Sequence, residues 1–266
     1  MNLEAEFLVA LGKLNEAAWD TNQLKSQAIS LIDLTLLDET ASPLALQSLS
    51  QSANEHHVAA ICVLPQHIKT ISSAISAKHP AQIATLKPED SVRIATVVNF
   101  STGEQTIDEV LSAIDLIHSQ VDEIDYVFPY QSYLNGEQHY SLAHCLQAYT
   151  RCREYGITFK VILETGCFPT LASIYTLSNE LISNGCDFLK TSTGKTNQGA
   201  TPAAAFAILK AIQHSHSNCG LKVSGGIKQP AQAFTYMCLA QQTLNRNLDK
   251  SWFRIGASSL LNELLM

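Results

Sequence analysis

Apolar residues in this chain gather into eight short runs rich in β-branched side chains. They are AISLIDLT (28–35), HVAAICVLP (57–65), VRIATVVNF (92–100), VDEIDYVFP (121–129), TFKVILETG (158–166), CDFLKTST (186–193), GLKVSGG (220–226) and SWFRIGASS (251–259). The runs recur about 30 residues apart, the length of one strand–helix unit. Most are apolar on both faces, the pattern of parallel strands covered on both sides. Between them the apolar positions return at helical spacing. In GEQTIDEVLSAIDLIHSQ, Ile107, Val110, Leu111, Ile114 and Ile117 share one face, and Thr102 or Thr106 can cap the start. LASIYTLSNELISNG behaves the same way, with Gly185 as its stop. Thr201-Pro202 sets a cap before a proline at the first helical position. Eight strands alternating with helices predict an α/β fold, a (β/α)8 TIM barrel. A doubly wound sheet is the alternative, weakened because no GxGxxG follows the first strand. The chain is expected to form a single barrel domain over 1–266, with residues 1–27 as an N-terminal helical lead-in.

Composition narrows the function classes. Of 266 residues, 46% are hydrophobic and 15% charged, ample for a large core. The net charge is −7 and there is no basic stripe, which argues against a nucleic-acid partner. An anionic metabolite would need a local site of lysines and backbone N–H groups. The seven cysteines are odd in number, scattered, and contain no CxxC. They read as neither a disulfide framework nor a zinc site, and a reducing, cytoplasmic setting fits them. The nine histidines form no HxxxH pair, so no metal is expected. No stretch approaches 18 uninterrupted apolar residues, so no membrane span is expected. The N-terminus has early acids and no basic n-region, unlike a signal peptide.

The informative residues are charges inside the strand runs. Asp125 lies in the fourth run, Lys160 in the fifth, Lys190 ends the sixth and Lys222 lies in the seventh; Asp33 in the first and Glu164 after the fifth can join them. A barrel interior is packed with side chains, so a charge there is costly unless paired or used. A lone strand-end lysine can simply snorkel. Several on consecutive strands converge on one axis, at the barrel end where catalytic groups gather. A free lysine amine, pKa roughly 10.4, is a poor nucleophile at neutral pH. Desolvation and a neighbouring ammonium both favour its neutral form. It can then attack a carbonyl to form a Schiff base, an electron sink for carbon–carbon cleavage. A nearby aspartate can move protons through water. This chemistry requires no metal or cofactor.

Ser224-Gly225-Gly226 follows the seventh run, and Gly256-Ala257-Ser258-Ser259 follows the eighth and leads into LLNELL. Phosphate sites in barrels commonly form there from backbone N–H groups. Lys228 can add charge to a phosphate or be an ordinary solvated lysine.

LIDLTLL (31–37), AAICVLP (59–65), RIATVVNF (93–100), DEIDYVFPY (122–130), FKVILETG (159–166), DFLKTSTGK (187–195), LKVSGGIK (221–228) and FRIGASSLL (253–261) together resemble the deoxyribose-phosphate aldolases, class I aldolases with a barrel fold. The resemblance spans about residue 30 to about 261 and implies reversible cleavage of 2-deoxy-D-ribose 5-phosphate to acetaldehyde and D-glyceraldehyde 3-phosphate. It implies that Lys190 is the Schiff-base lysine, Lys222 the lysine that perturbs it, and Asp125 the proton donor and acceptor. Asp33, Lys160 and Lys195 match polar positions lining the family's pocket. Thr193, Gly194, Gly225, Gly226, Gly256, Ser258 and Ser259 match hydroxyl and phosphate contacts. Leu37 and Cys62 match pocket walls, and a buried strand cysteine is usually packing rather than a nucleophile. The family often has arginine where this chain has Lys228, and lysine cannot make the bidentate phosphate contact. Some relatives carry a tail ending in tyrosine that assists proton transfer. This chain ends Leu265-Met266, so turnover below that of tailed relatives is expected, and equal rates under matched conditions would contradict it. The family is often homodimeric. Two other classes compete: a phosphate-binding isomerase or different Schiff-base aldolase, and a non-catalytic binding barrel. An isomerase has no need of Lys190 beside Lys222, and a binding barrel has no use for the buried Lys190, Lys222 and Asp125 together.

Overall fold

The computed structural model describes residues 2–16, 20–76 and 91–266. Eight strands form a closed, all-parallel barrel in sequence order: β1 (Ile32–Leu36), β2 (Ala60–Val63), β3 (Arg93–Val98), β4 (Glu123–Val127), β5 (Thr158–Ile162), β6 (Phe188–Lys190), β7 (Gly220–Ser224) and β8 (Phe253–Ala257), with β8 pairing back to β1. The described residues also form eleven α-helices. Those the site depends on are α8 (Leu171–Asn184), α9 (Pro202–Ser215), α10 (Pro230–Leu244) and α11 (Leu260–Leu265). Each expected run contains one strand, but the first is shifted. Ala28, Ile29 and Ser30 close helix α2 (Thr21–Ser30), and β1 begins only at Ile32. Asp20 caps α2 by accepting from the Asn22 and Gln23 amides, and Ala28 is fully buried on its inner face. The helix therefore holds residues whose β-branched neighbours suggested a strand. The expected lead-in thus extends to Ser30, with residues 1 and 17–19 outside those described.

The helix signals act where the residues place them. Thr106, not Thr102, caps the helix over Ile107–Ile117, in a capping box with Glu109. Gly185 ends α8 at φ 88°, a conformation that favours glycine. Thr201 accepts from the Ala204 amide to start α9. Helix α9 is buried on nearly every side, Phe206, Ile208 and Leu209 included. One of its faces meets the barrel and another meets α1 (Leu3–Glu16), where the Phe7 and Phe206 rings lie 5.7 Å apart. The lead-in thus buries apolar surface against the helices outside the barrel.

Candidate active site

Parallel pairing in register sets the charged residues side by side. Lys190 on β6 is the Cα partner of Lys222 on β7, and Asp125 on β4 is the partner of Lys160 on β5. Their side chains point inward and converge. Asp125 Oδ2 accepts from Lys190 Nζ at 2.7 Å and Lys222 Nζ at 2.6 Å, while Oδ1 accepts from Lys160 Nζ at 3.0 Å. Asp33 lies 2.5 Å from Lys222 Nζ and 3.8 Å from Lys160 Nζ. Two further residues, missed in the sequence, extend the cluster. Glu123 Oε2 lies 2.5 Å from Lys160, and Arg254 bridges Asp33 Oδ1 at 2.7 Å and Glu123 Oε1 at 3.0 Å. All seven side chains are buried. Strand periodicity carries the missing signal. Glu123 stands two residues before the inward-facing Asp125, and Arg254 pairs in register with Lys222, so both face the interior.

The three lysines differ in how many carboxylates they meet. Lys160 has Glu123, Asp125 and, more distantly, Asp33; Lys222 has Asp125 and Asp33; Lys190 has Asp125 alone. That difference decides protonation. Burial lowers the Lys222 pKa, but Asp125 and Asp33 outweigh it and hold Lys222 well above the ordinary lysine range. Burial likewise opposes the charge on Lys160, and Asp125 and Glu123 more than offset it. For Lys190, burial acts first and Asp125 counters it. The Lys222 ammonium adds to burial, and the net shift is downward. Desolvation is therefore the larger cause and the second lysine a contributor, a change of emphasis from the sequence expectation. Burial raises Asp125, but Lys160, Lys190 and Lys222 together hold its carboxyl well below the usual range. Asp125 is thus held as the carboxylate anion. Cys62 lies with Sγ 3.9 Å from Asp125 Oδ2, and burial, reinforced by that carboxylate, pushes its thiol up to about 11. It is a packed thiol, not a nucleophile at neutral pH.

A cleft of about 330 Å³ opens at the C-terminal ends of the strands, lined by Leu37, Lys190, Thr193, Gly194, Lys195, Ser224, Gly225, Gly226, Lys228, Gly256 and Ser258 among others. A larger cleft of about 850 Å³ over β1–β3 adjoins it through Leu37, Asp38 and Lys195 but does not reach Lys190. Of the two, only the smaller is lined by Lys190. Lys195 Nζ donates to the Leu37 carbonyl at 2.8 Å and ties the loop after β6 to the loop after β1. Asp33, Cys62 and Lys160 do not line the cleft; they belong to the network beneath Lys190. Ser259 does not line it either and sits at the start of α11. Lys228 is exposed, and its backbone N–H donates to Gln232.

Two expected contacts change character. The Thr193 hydroxyl donates to Glu164, and its oxygen accepts from the Lys195 amide at 3.1 Å, so Thr193 shapes the loop. Glu164 also takes the Thr193 amide at 3.2 Å, and it holds this post with φ 56°, in the left-handed region. Gly256 lies within β8, not in the loop after it. A Cβ there would sit 2.9 Å from Ser224 Cβ and 3.1 Å from Lys222 Cε, so the missing side chain is the space Lys222 occupies. Gly256→Ala is expected to displace the Lys222 ammonium and lower kcat roughly 10- to 100-fold. Steady-state kinetics check it, and unchanged turnover would show that the strand gives way instead. Gly225 and Gly226 sit at φ 90° and 81°, and among the described residues neither amide donates to a protein backbone acceptor. No cluster of three or more metal-ligating side chains occurs among the described residues.

The cleft thus opens over a buried lysine whose pKa is lowered, beside an aspartate held ionised. A family model described as a DeoC/LacD family aldolase matches residues 28–265. The chain belongs to the DeoC/LacD aldolase family. It is 35% identical over 241 residues to the deoxyribose-phosphate aldolase of Agrobacterium fabrum, covering 89% of this chain and 88% of the relative. Its fold is similar to that of a deoxyribose phosphate aldolase from Aeropyrum pernix, described as having a unique tetrameric structure. The TM-score there is 0.73 at 21% identity, over 94% of this chain and 97% of the other. In this DeoC/LacD chain no described helix is long and apolar enough to cross a membrane.

Proposed function

We propose that the protein cleaves 2-deoxy-D-ribose 5-phosphate reversibly to acetaldehyde and D-glyceraldehyde 3-phosphate through a Schiff base on Lys190. The observation that carries this is the single-carboxylate environment of the Lys190 amine. The neutral amine adds to the aldehyde carbon of the open-chain sugar, and the carbinolamine loses water to give a protonated imine. A base takes the proton of the substrate's 3-hydroxyl, the C2–C3 bond breaks, and its electron pair moves to the iminium to leave an enamine. D-Glyceraldehyde 3-phosphate departs. Protonation at C2 and hydrolysis then release acetaldehyde and restore Lys190. Asp125, held ionised, serves as the proton acceptor of this relay, directly or through a water. Lys222 stays an ammonium that, together with burial, disfavours the charged form of Lys190. The unengaged Gly225 and Gly226 amides, with Lys228 and Ser258 beside them, supply donors for the phosphate. Assay of 2-deoxyribose 5-phosphate cleavage by release of both aldehydes tests the substrate. Cleavage of another sugar phosphate with none of this one would overturn it.

Activity rises as pH rises through the Lys190 pKa, because only the neutral amine attacks. Lys222→Met removes a repelling charge and leaves Asp125 less neutralised. Both changes favour protonated Lys190. The acid limb of kcat/KM is expected to move upward by roughly one pH unit or more. An unmoved limb would contradict the role given to Lys222.

The same proposal takes residues 1–266 as one domain, expected to unfold in a single transition. It also takes the protein as a homodimer in a reducing cytoplasm, consistent with seven free cysteines. Sedimentation at assay concentration tests the dimer; a monomer or tetramer would exclude it.

A further inference from the structure

The ion-pair network does not stop at the residues that face the cleft. It runs from Lys190 through Asp125 to Lys222 and Lys160, from these to Asp33 and Glu123, and ends on Arg254. Arg254 and Glu123 line a separate cavity of about 590 Å³ with Arg93, Asp187 and Lys250, and neither lines the substrate cleft. Counted formally, the ion-paired network holds the carboxylates of Asp33, Glu123 and Asp125 against the cations Lys160, Lys190, Lys222 and Arg254. The fourth buried carboxylate, Glu164, lies outside it and accepts from Thr193. The network itself has one cation too many. Excess charge buried in a low-dielectric interior is expelled by titration of the group that holds it least firmly. That group is Lys190, which has one carboxylate partner where the other cations have two or more. With Lys190 neutral, three anions balance three cations.

We infer that Arg254 and Glu123 are positioning residues that act through this network, from beyond the substrate cleft, to set how readily Lys190 takes a proton. Arg254 is the cation that makes Lys190 the surplus one. Glu123 is the carboxylate that keeps the surplus to a single charge. The groups facing Lys190 are Asp125 on β4, Lys222 on β7 and Cys62 on β2, and Asp33 and Lys160 stand behind them on β1 and β5. Arg254 and Glu123 touch none of the reacting atoms, yet each changes the sum that Lys190 completes. The inference rests on Lys190 being the Schiff-base lysine.

The two residues predict shifts of opposite sign. In Arg254→Met, a protonated Lys190 would restore the balance, so its pKa rises. In Glu123→Gln the cationic surplus grows, so its pKa falls. Each shift is on the order of one pH unit, the effect of a unit charge over roughly 10 Å at an effective dielectric of about 20. Arg254→Lys keeps the charge and is expected to restore a near-parental profile, which separates charge from packing. The readout is the pH dependence of the rate at which acetaldehyde, fixed by borohydride, labels Lys190 in the whole protein. Opposite displacements for Arg254→Met and Glu123→Gln, with Arg254→Lys near the parent, are the expected result. Profiles that coincide, or that move in the same direction, would overturn the inference. Should Arg254→Met fail to fold, Glu123→Gln and Arg254→Lys decide it by the same readout. Absence of label on Lys190 in the parent would instead defeat the Schiff-base assignment itself.

Discussion

Lys190→Met is expected to abolish cleavage while leaving the barrel at least as stable as before. The loss in kcat should be on the order of 10⁴-fold or more, as when other covalent nucleophiles are removed. The stability forecast comes from the network. Asp125 keeps Lys160 and Lys222 when Lys190 is gone. The ion-pair network then holds three carboxylates and three firmly paired cations, with no surplus to relieve. Methionine fills a similar volume with apolar atoms and adapts to an irregular site. Urea unfolding beside a cleavage assay checks both halves. Residual cleavage within about 100-fold of the parent would point to a second route, since general acid–base assistance alone is worth about 10²–10⁴-fold. A large loss of stability would show that Lys190 is a structural partner of Asp125 and not its dispensable one.

Asp125→Asn should behave in the opposite way and lose both properties. Asp125 takes three lysines on two oxygens and is fully buried. Asparagine keeps the shape and removes the charge. Lys160 retains Glu123 and Lys222 retains Asp33, but Lys190 is left with no carboxylate. Breaking a buried ion pair by removing one partner costs about 3–5 kcal/mol. Losing the proton acceptor costs a further 10²- to 10⁴-fold in rate, a rough figure for general acid–base groups. Parallel denaturation and rate measurements separate the effects. A variant of unchanged stability would mean that the lysines release their charge when the carboxylate goes, and the account of Asp125 as the fixed anion would fall.

The strands were legible because parallel strands buried on both faces leave apolar runs that few other elements imitate. The first run misled for a local reason: Asp20 caps a helix that carries Ala28–Ser30 before β1 begins. Lys190, Lys222 and Asp125 stood out as charges where core residues were expected, and the barrel register brought them together. Arg254 and Glu123 are equally buried but lie near the beginnings of their strands, where a charge looks like an ordinary solvated end. Only the two-residue periodicity relating Glu123 to Asp125, and the register relating Arg254 to Lys222, mark them as inward. Gly256 read as part of a phosphate loop, and its actual reason, the Lys222 side chain beside it, is a contact between strands that one sequence cannot show. Thr193 lines the cleft, but its hydroxyl is committed to Glu164.

The most direct measurement is chemical. The protein is incubated with acetaldehyde at neutral pH, reduced with borohydride, digested and mapped by mass. A single ethylated lysine at Lys190, absent in Lys190→Met, is the predicted result. An adduct on Lys222 or Lys160, or label spread over exposed lysines with Lys190 unmodified, would contradict the account.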